Sequence, residues 1–219
     1  VTEFFKLSGP RYGPANGGAA ERLVILLHGL GADGNDLIGL APHFAQTLPN
    51  TLFVSPNAPF PCDMAPYGYQ WFSLQDRSPE ALLAGVRMAA PILNAFIDNM
   101  MTETGLDASR TALVGFSQGT MLGLYTAPRR QEALAGIVGY SGLLLGADTL
   151  ADEAVSRMPV VLVHGEADDI VPAMCTPKAA EGLKAAGFEV DYMLRPGLPH
   201  GIDAAGIEAG TAFLDRVLA

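Results

Sequence analysis

Basic residues are scarce in this 219-residue chain: 13 Lys and Arg stand against 23 Asp and Glu, for a net charge of −10. The cations are scattered, and only Arg129 and Arg130 are adjacent. Such a chain lacks the basic patch that nucleic acid or an anionic membrane surface requires. Cysteine is scarcer still. Cys62 and Cys175 lie far apart and neither belongs to a C-x-x-C pair, so free thiols are expected rather than a disulfide framework. The four histidines, His28, His43, His164 and His200, include no H-x-x-x-H pair. No metal is therefore expected. Long apolar runs are missing. The longest pure one, Leu23 to Leu27, falls well short of the roughly 20 residues that cross a bilayer, so stable membrane insertion is not expected. The glycine-rich stretch His28 to Gly34 has neither G-x-G-x-x-G spacing nor a Walker lysine, which disfavours nucleotide binding. No repeat, low-complexity tract, linker or signal-peptide pattern is visible, and the expected location is the cytoplasm.

What is present is enough apolar residue, 49%, for one substantial core. Glu3 to Leu7 reads as a short edge strand and Gly9 to Ala20 as a loop. From Leu23 onward strand-like and helix-like stretches alternate. Leu23–Leu27, Thr51–Val54, Arg110–Val114, Leu134–Tyr140 and Met158–Val163 read as strands, and Phe188 to Leu194 alternates like a strand nearer an edge. Between them, Leu37, Leu40, Ala41 and Phe44 share helical spacing. Ser78 and Pro79 open a helix that Pro91 should kink. Thr176 and Pro177 begin another helix that Gly187 ends, and a last one starts near Asp203. This alternation predicts one α/β domain over residues 1–219, with a mainly parallel sheet and helices on both faces. Sites in such sheets form at the carboxyl ends of the strands.

Gly115-Phe116-Ser117-Gln118-Gly119 has the form G-x-S-x-G, with a strand before it and a helix after it. That context is what a serine nucleophile on a strand-to-helix turn needs. The Gln118 amide would open the helix and point at a reacting carbonyl, where the helix dipole favours negative charge. Leu30, in the loop His28-Gly29-Leu30-Gly31, is the candidate for a second oxyanion amide. A serine needs a base, and the base an orienting acid. His200, in the loop after the last strand, is the candidate base. His164 ends an apolar strand and reads as buried and hydrogen-bonded, His28 as a brace for the oxyanion loop, and His43 as surface. The acid should lie in the turn holding Glu166, Asp168 and Asp169, and residue type alone does not choose among them.

These stretches together resemble the phospholipase/carboxylesterase family, bacterial relatives of acyl-protein thioesterases. The matching pieces are LLHGLGADGNDL at Leu26 to Leu37, PNAP at Pro56 to Pro59, Trp71-Phe72, GFSQG, HGEADDIVP at His164 to Pro172, and the histidine of GLPHGI. The resemblance implies an α/β-hydrolase without a large cap and without a cofactor. It places the nucleophile on Ser117, the base on His200, the acid on Asp168 and the oxyanion amides on Leu30 and Gln118. The implied function is a serine carboxylesterase acting through an acyl-enzyme on a small ester or thioester. A thioesterase or lysophospholipase for longer acyl chains is the nearest alternative, and a catalytically silent binding protein a remote one. Many members of the family dimerise, so a homodimer is one expectation. The acyl pocket is expected from some combination of Leu30, Trp71, Phe72, Leu143, Leu144, Ile170, Val171 and Leu198, all in loops at the same sheet edge. Phe60 to Gln70 matches no pattern of the family.

Overall fold

Leu23 to Leu27 is apolar at every position because both faces of its strand are covered, as in the middle of a parallel sheet. The computed structural model describes residues 6–219, so the strand expected at Glu3 to Leu7 lies mostly outside the described residues. In chain order the elements are β1 (Arg11–Tyr12), β2 (Arg22–Leu27), α1 (Gly34–Ile38), α2 (Ala41–Phe44), β3 (Thr51–Val54), β4 (Phe60–Pro61) and β5 (Tyr69–Gln70). Then come α3 (Pro79–Thr104), β6 (Thr111–Phe116), α4 (Gln118–Thr126), β7 (Gly136–Tyr140), α5 (Ala147–Glu153), β8 (Val160–Gly165), α6 (Cys175–Ala185), β9 (Val190–Arg195) and α7 (Ala204–Val217).

Among the described residues, seven strands form one sheet in the order β1-β3-β2-β6-β7-β8-β9. All pairings are parallel except that of β1, which runs antiparallel to β3. Leu23, Ile25 and Leu27 point into a core shared with α3, α4 and α6. Val24 and Leu26 point into the opposite core, with Leu37, Phe44, Phe213 and Leu214 of α1, α2 and α7. The chain is thus a single α/β domain with helices on both faces and no large cap insertion.

Two expectations change in detail. The loop expected over Gly9 to Ala20 contains β1, which caps the β3 edge. The helix expected around Leu37 to Phe44 breaks into α1 and α2. Pro91, expected to kink its helix, lies inside α3, which runs as one element of 26 residues. The ring falls where the apolar stripe of Val86, Ala89, Leu93, Phe96, Ile97 and Met100 already fixes the helix in the core. Among the described residues α3 is the one helix long and apolar enough to cross a membrane, yet this stripe is packed inside the fold. Cys62 and Cys175 are both free and half-buried.

Candidate active site

The loops after β2, β6, β7, β8 and β9 all leave the sheet at its carboxyl edge, and they bring Leu30, Ser117, Leu143, Asp168 and His200 to one place. Ser117 sits at the β6–α4 turn with φ 52° and ψ −115°, a conformation that L-residues avoid. Such strain costs on the order of 1–3 kcal/mol and persists only where the surroundings impose it. Here Ser117 N–H donates to Tyr140 O at 2.8 Å, and Thr120 Oγ1 donates to the same carbonyl at 2.8 Å. The flanking glycines let α4 come down onto the sheet. A Cβ on Gly119 would lie 1.9 Å from Leu27 O, and one on Gly115 would lie 2.6 Å from Thr120 N.

The Leu30 loop is fixed from three sides. Gly31 N–H donates to Tyr69 O at 2.9 Å, and Tyr69 N–H donates to Ala32 O at 2.8 Å. The Phe60–Gln70 stretch therefore forms a small hairpin, β4 with β5, that clamps the loop. A Cβ on Gly68 would lie 2.0 Å from Gly31 O, so only glycine permits that approach. The second brace is buried His28. Its Nε2 accepts from Ala58 N–H at 2.9 Å, so its Nδ1 carries the proton and donates to Gly29 O at 2.7 Å. The third is Trp71, whose Nε1–H donates to His28 O at 2.9 Å. The Gln118 side chain ties this segment to the serine turn. Its Oε1 accepts from Trp71 N–H at 2.9 Å and its Nε2 donates to Phe72 O at 2.7 Å. Leu30 N–H has no backbone partner among the described residues, and Gln118 N–H, first in α4, has none within its helix.

Burial pushes the His28 pKa down, against the smaller upward pull of its bond to Gly29. A histidine that is harder to protonate when folded contributes stability that is present above its unfolded pKa and lost as pH falls toward the folded value. Stability should therefore decline below about pH 6.5, by about 1.4 kcal/mol per pH unit until the folded pKa is reached. Urea unfolding at several pH values reads the slope. His28→Gln should flatten it, and an equal slope in the variant would exclude His28 as the source.

Asp168 and His200 stand 32 residues apart in sequence and meet at 2.6 Å, His200 Nδ1 donating to Asp168 Oδ2. Backbone lacing brings their loops together: Glu166 N–H donates to Arg195 O at 2.9 Å and Ala167 N–H to Leu198 O at 3.0 Å. Gly165 makes this possible, since a Cβ there would lie 2.1 Å from Leu198 O. Asp168 Oδ1 accepts from Ile170 N–H at 2.9 Å and Val171 N–H at 2.8 Å. Burial raises the Asp168 pKa, but the bonds from His200, Val171 and Ile170 outweigh it and hold the carboxyl below its ordinary value. Glu166 and Asp169 are exposed. The Phe116 ring packs against His200 with centroids 4.9 Å apart. No hydrogen bond joins Ser117 Oγ to His200 Nε2; the two side chains line the same cavity.

That cavity has a volume of about 420 Å³ and a mostly apolar wall. Leu30, Leu143, Ile170 and Val171 line it, together with Leu74, Leu82 and Met121, which the sequence did not single out, and Arg77 at the rim. Four residues expected on the wall are not there. Trp71 and Phe72 are completely buried, the first bracing His28 and the second packed against Gly85 of α3. Leu144 turns toward Gly182 of α6, and Leu198 contributes its carbonyl to the Asp168 loop. Leu82 and Met121 carried no sequence signal of their own, being ordinary helix residues whose position only the packing of α3 beside α4 reveals.

The fold and the serine turn together define an α/β-hydrolase. The family model for Phospholipase/Carboxylesterase matches residues 15–218. The chain belongs to that family, whose members are ester- and thioester-hydrolysing α/β-hydrolases. It is 30% identical to Acyl-protein thioesterase 1 of Emericella nidulans over 215 residues, covering 89% of this chain and 90% of that one. It is 28% identical to the esterase YpfH of Escherichia coli over 184 residues, covering 84% of this chain and 78% of the other. Among solved structures, esterase PE8 superposes with a TM-score of 0.92 at 43% identity, covering 97% of this chain and all of the other (100%).

Proposed function

We propose that the protein is a serine carboxylesterase for short- to medium-chain carboxylic esters. The observation that carries this is the 2.6 Å bond from His200 Nδ1 to Asp168, beside a cavity that Ser117 and His200 both line. With its Nδ1 proton committed to Asp168, His200 leaves Nε2 bare to accept the Ser117 proton. Apo sites often hold serine and base farther apart than the substrate complex does, and the missing Ser117–His200 bond forms as the ester binds. Ser117 Oγ then attacks the carbonyl carbon while His200 takes its proton. The developing oxyanion accepts from Leu30 N–H and Gln118 N–H, donors fixed before the reaction begins. His200 returns the proton to the departing alcohol, leaving an acyl-enzyme. Water repeats the sequence and frees the acid. The alternative of longer-chain thioester hydrolysis draws on the name of the Emericella relative and uses the same steps.

A panel of p-nitrophenyl esters and matching thioesters, with acyl chains of roughly two to sixteen carbons, separates the readings by sampling pocket depth. A maximum at short to medium chains supports the carboxylesterase, and a rise through the longest thioesters supports the alternative. Leu143 is half-buried on the cavity wall. Leu143→Trp should lower kcat/KM for an octanoyl ester about tenfold relative to an acetyl ester, in line with what pocket shape is worth in discrimination. An unchanged ratio would remove Leu143 from the acyl subsite.

A further inference from the structure

One buried polar cluster plays no part in the proposed chemistry. His164, at the end of β8, is fully buried directly behind Asp168. Its Nε2 lies 3.0 Å from Val171 O and 3.0 Å from Asp168 Oδ2. Both atoms are acceptors, so the ring proton must sit on Nε2, where it bonds to Val171 O with its positive end also facing the carboxylate. Nδ1 is then an acceptor, and Thr176 Oγ1, 2.7 Å away in the first turn of α6, donates to it. Val171 closes the circuit: its own N–H donates to Asp168 Oδ1 at 2.8 Å.

From this we infer that His164 is a positioning residue for Asp168. It acts through the backbone of Val171, whose C=O it holds and whose N–H meets one carboxylate oxygen, and through its N–H dipole on the other, and Thr176 fixes the tautomer that both actions need. A buried apolar residue would fill the same space but would leave Val171 O without its donor and the turn from Gly165 to Val171 free to settle elsewhere. The reacting atoms tolerate little displacement, for a shift of about 1 Å can cost a hundredfold in rate. The inference rests on the proposed role of Asp168, and the experiment treats the two separately.

Steady-state kinetics on a short p-nitrophenyl ester should be measured for His164→Leu, His164→Gln, Asp168→Asn and the double variant His164→Leu/Asp168→Asn. His164→Leu should lose roughly a hundredfold in kcat with KM within about twofold. His164→Gln, which can present an amide N–H at the place of Nε2, should recover most of that loss. In the Asp168→Asn background His164→Leu should cost almost nothing further, because residues acting through one group are not additive. A role confined to packing would give equal losses in both backgrounds and no rescue by Gln. Should His164→Leu fail to fold, Thr176→Val carries the test, with an expected drop in kcat of about tenfold. Nitrogen-15 NMR of the parent should show His164 as the Nε2–H tautomer. A kcat near the parent's in His164→Leu or Thr176→Val, or an Nδ1–H tautomer, overturns the inference. If Asp168→Asn itself keeps full turnover, the proposed catalytic reading fails instead.

Discussion

Ser117→Ala should remove nearly all ester hydrolysis, with kcat falling by about 10⁴ to 10⁶, the scale on which nucleophile deletions act in serine hydrolases. The variant should fold. Alanine occupies φ 52° no more easily than serine does, and the contacts that impose that angle, from Ser117 N–H to Tyr140 O and from Gly119 against Leu27, involve no Oγ. Circular dichroism and melting temperature should therefore match the parent while activity vanishes. A fluorophosphonate probe should label the parent at Ser117 and leave the variant blank. Labelling elsewhere, or a residual rate above about a tenth of the parent's, would assign the chemistry to another group. The two thiols, Cys62 and Cys175, do not line the cavity.

How much of this was legible in the sequence depends on which contacts are local. The serine turn could be read because strand, glycines, serine and helix are consecutive, so residues 111 to 126 carry their own geometry. The order of the parallel strands could not be read, but their class could, since runs such as Leu23 to Leu27 are apolar on both faces. Each parallel strand ends in a loop on the same edge, which predicted that the loops of Ser117, Asp168 and His200 would gather, while the choice of Asp168 within its turn came from the family resemblance. Trp71 was read onto the pocket wall because its loop was expected at the same sheet edge as Ser117. Its indole N–H found His28 O instead, and the loop turned inward to bury it. The Gln118 amide side chain was invisible for the opposite reason: its partners, Trp71 N–H and Phe72 O, lie about 46 residues away in sequence and announce nothing at position 118. The Phe60–Gln70 stretch has the same character. Its function is to clamp Gly31 and Ala32, and Gly68 was the one residue whose close approach could have signalled it.

Asp168→Asn and Asp169→Asn should separate by several orders of magnitude, although they alter adjacent residues in the same way. The Asp168 side chain is wholly enclosed, with Oδ2 on His200 Nδ1 at 2.6 Å and Oδ1 on the amides of Ile170 and Val171. An asparagine there must still satisfy Ile170 and Val171 N–H with its one oxygen, which turns its NH2 group toward His200. A donor facing Nδ1 forces the ring proton to Nε2, and a histidine protonated at Nε2 cannot accept from Ser117. Turnover should fall by about ten-thousandfold, the cost of the wrong histidine tautomer in a serine triad, while KM changes little. The Asp169 side chain is exposed and touches none of these groups. Asp169→Asn should leave kcat within about threefold, as surface substitutions away from special contacts usually do for stability and geometry alike. The comparison is internal, because both variants lose one negative charge from the same turn and any general field effect is common to them. Equal losses would mean that charge near His200 matters and its direction does not. A greater loss in Asp169→Asn would mean that the acid had been assigned to the wrong carboxylate.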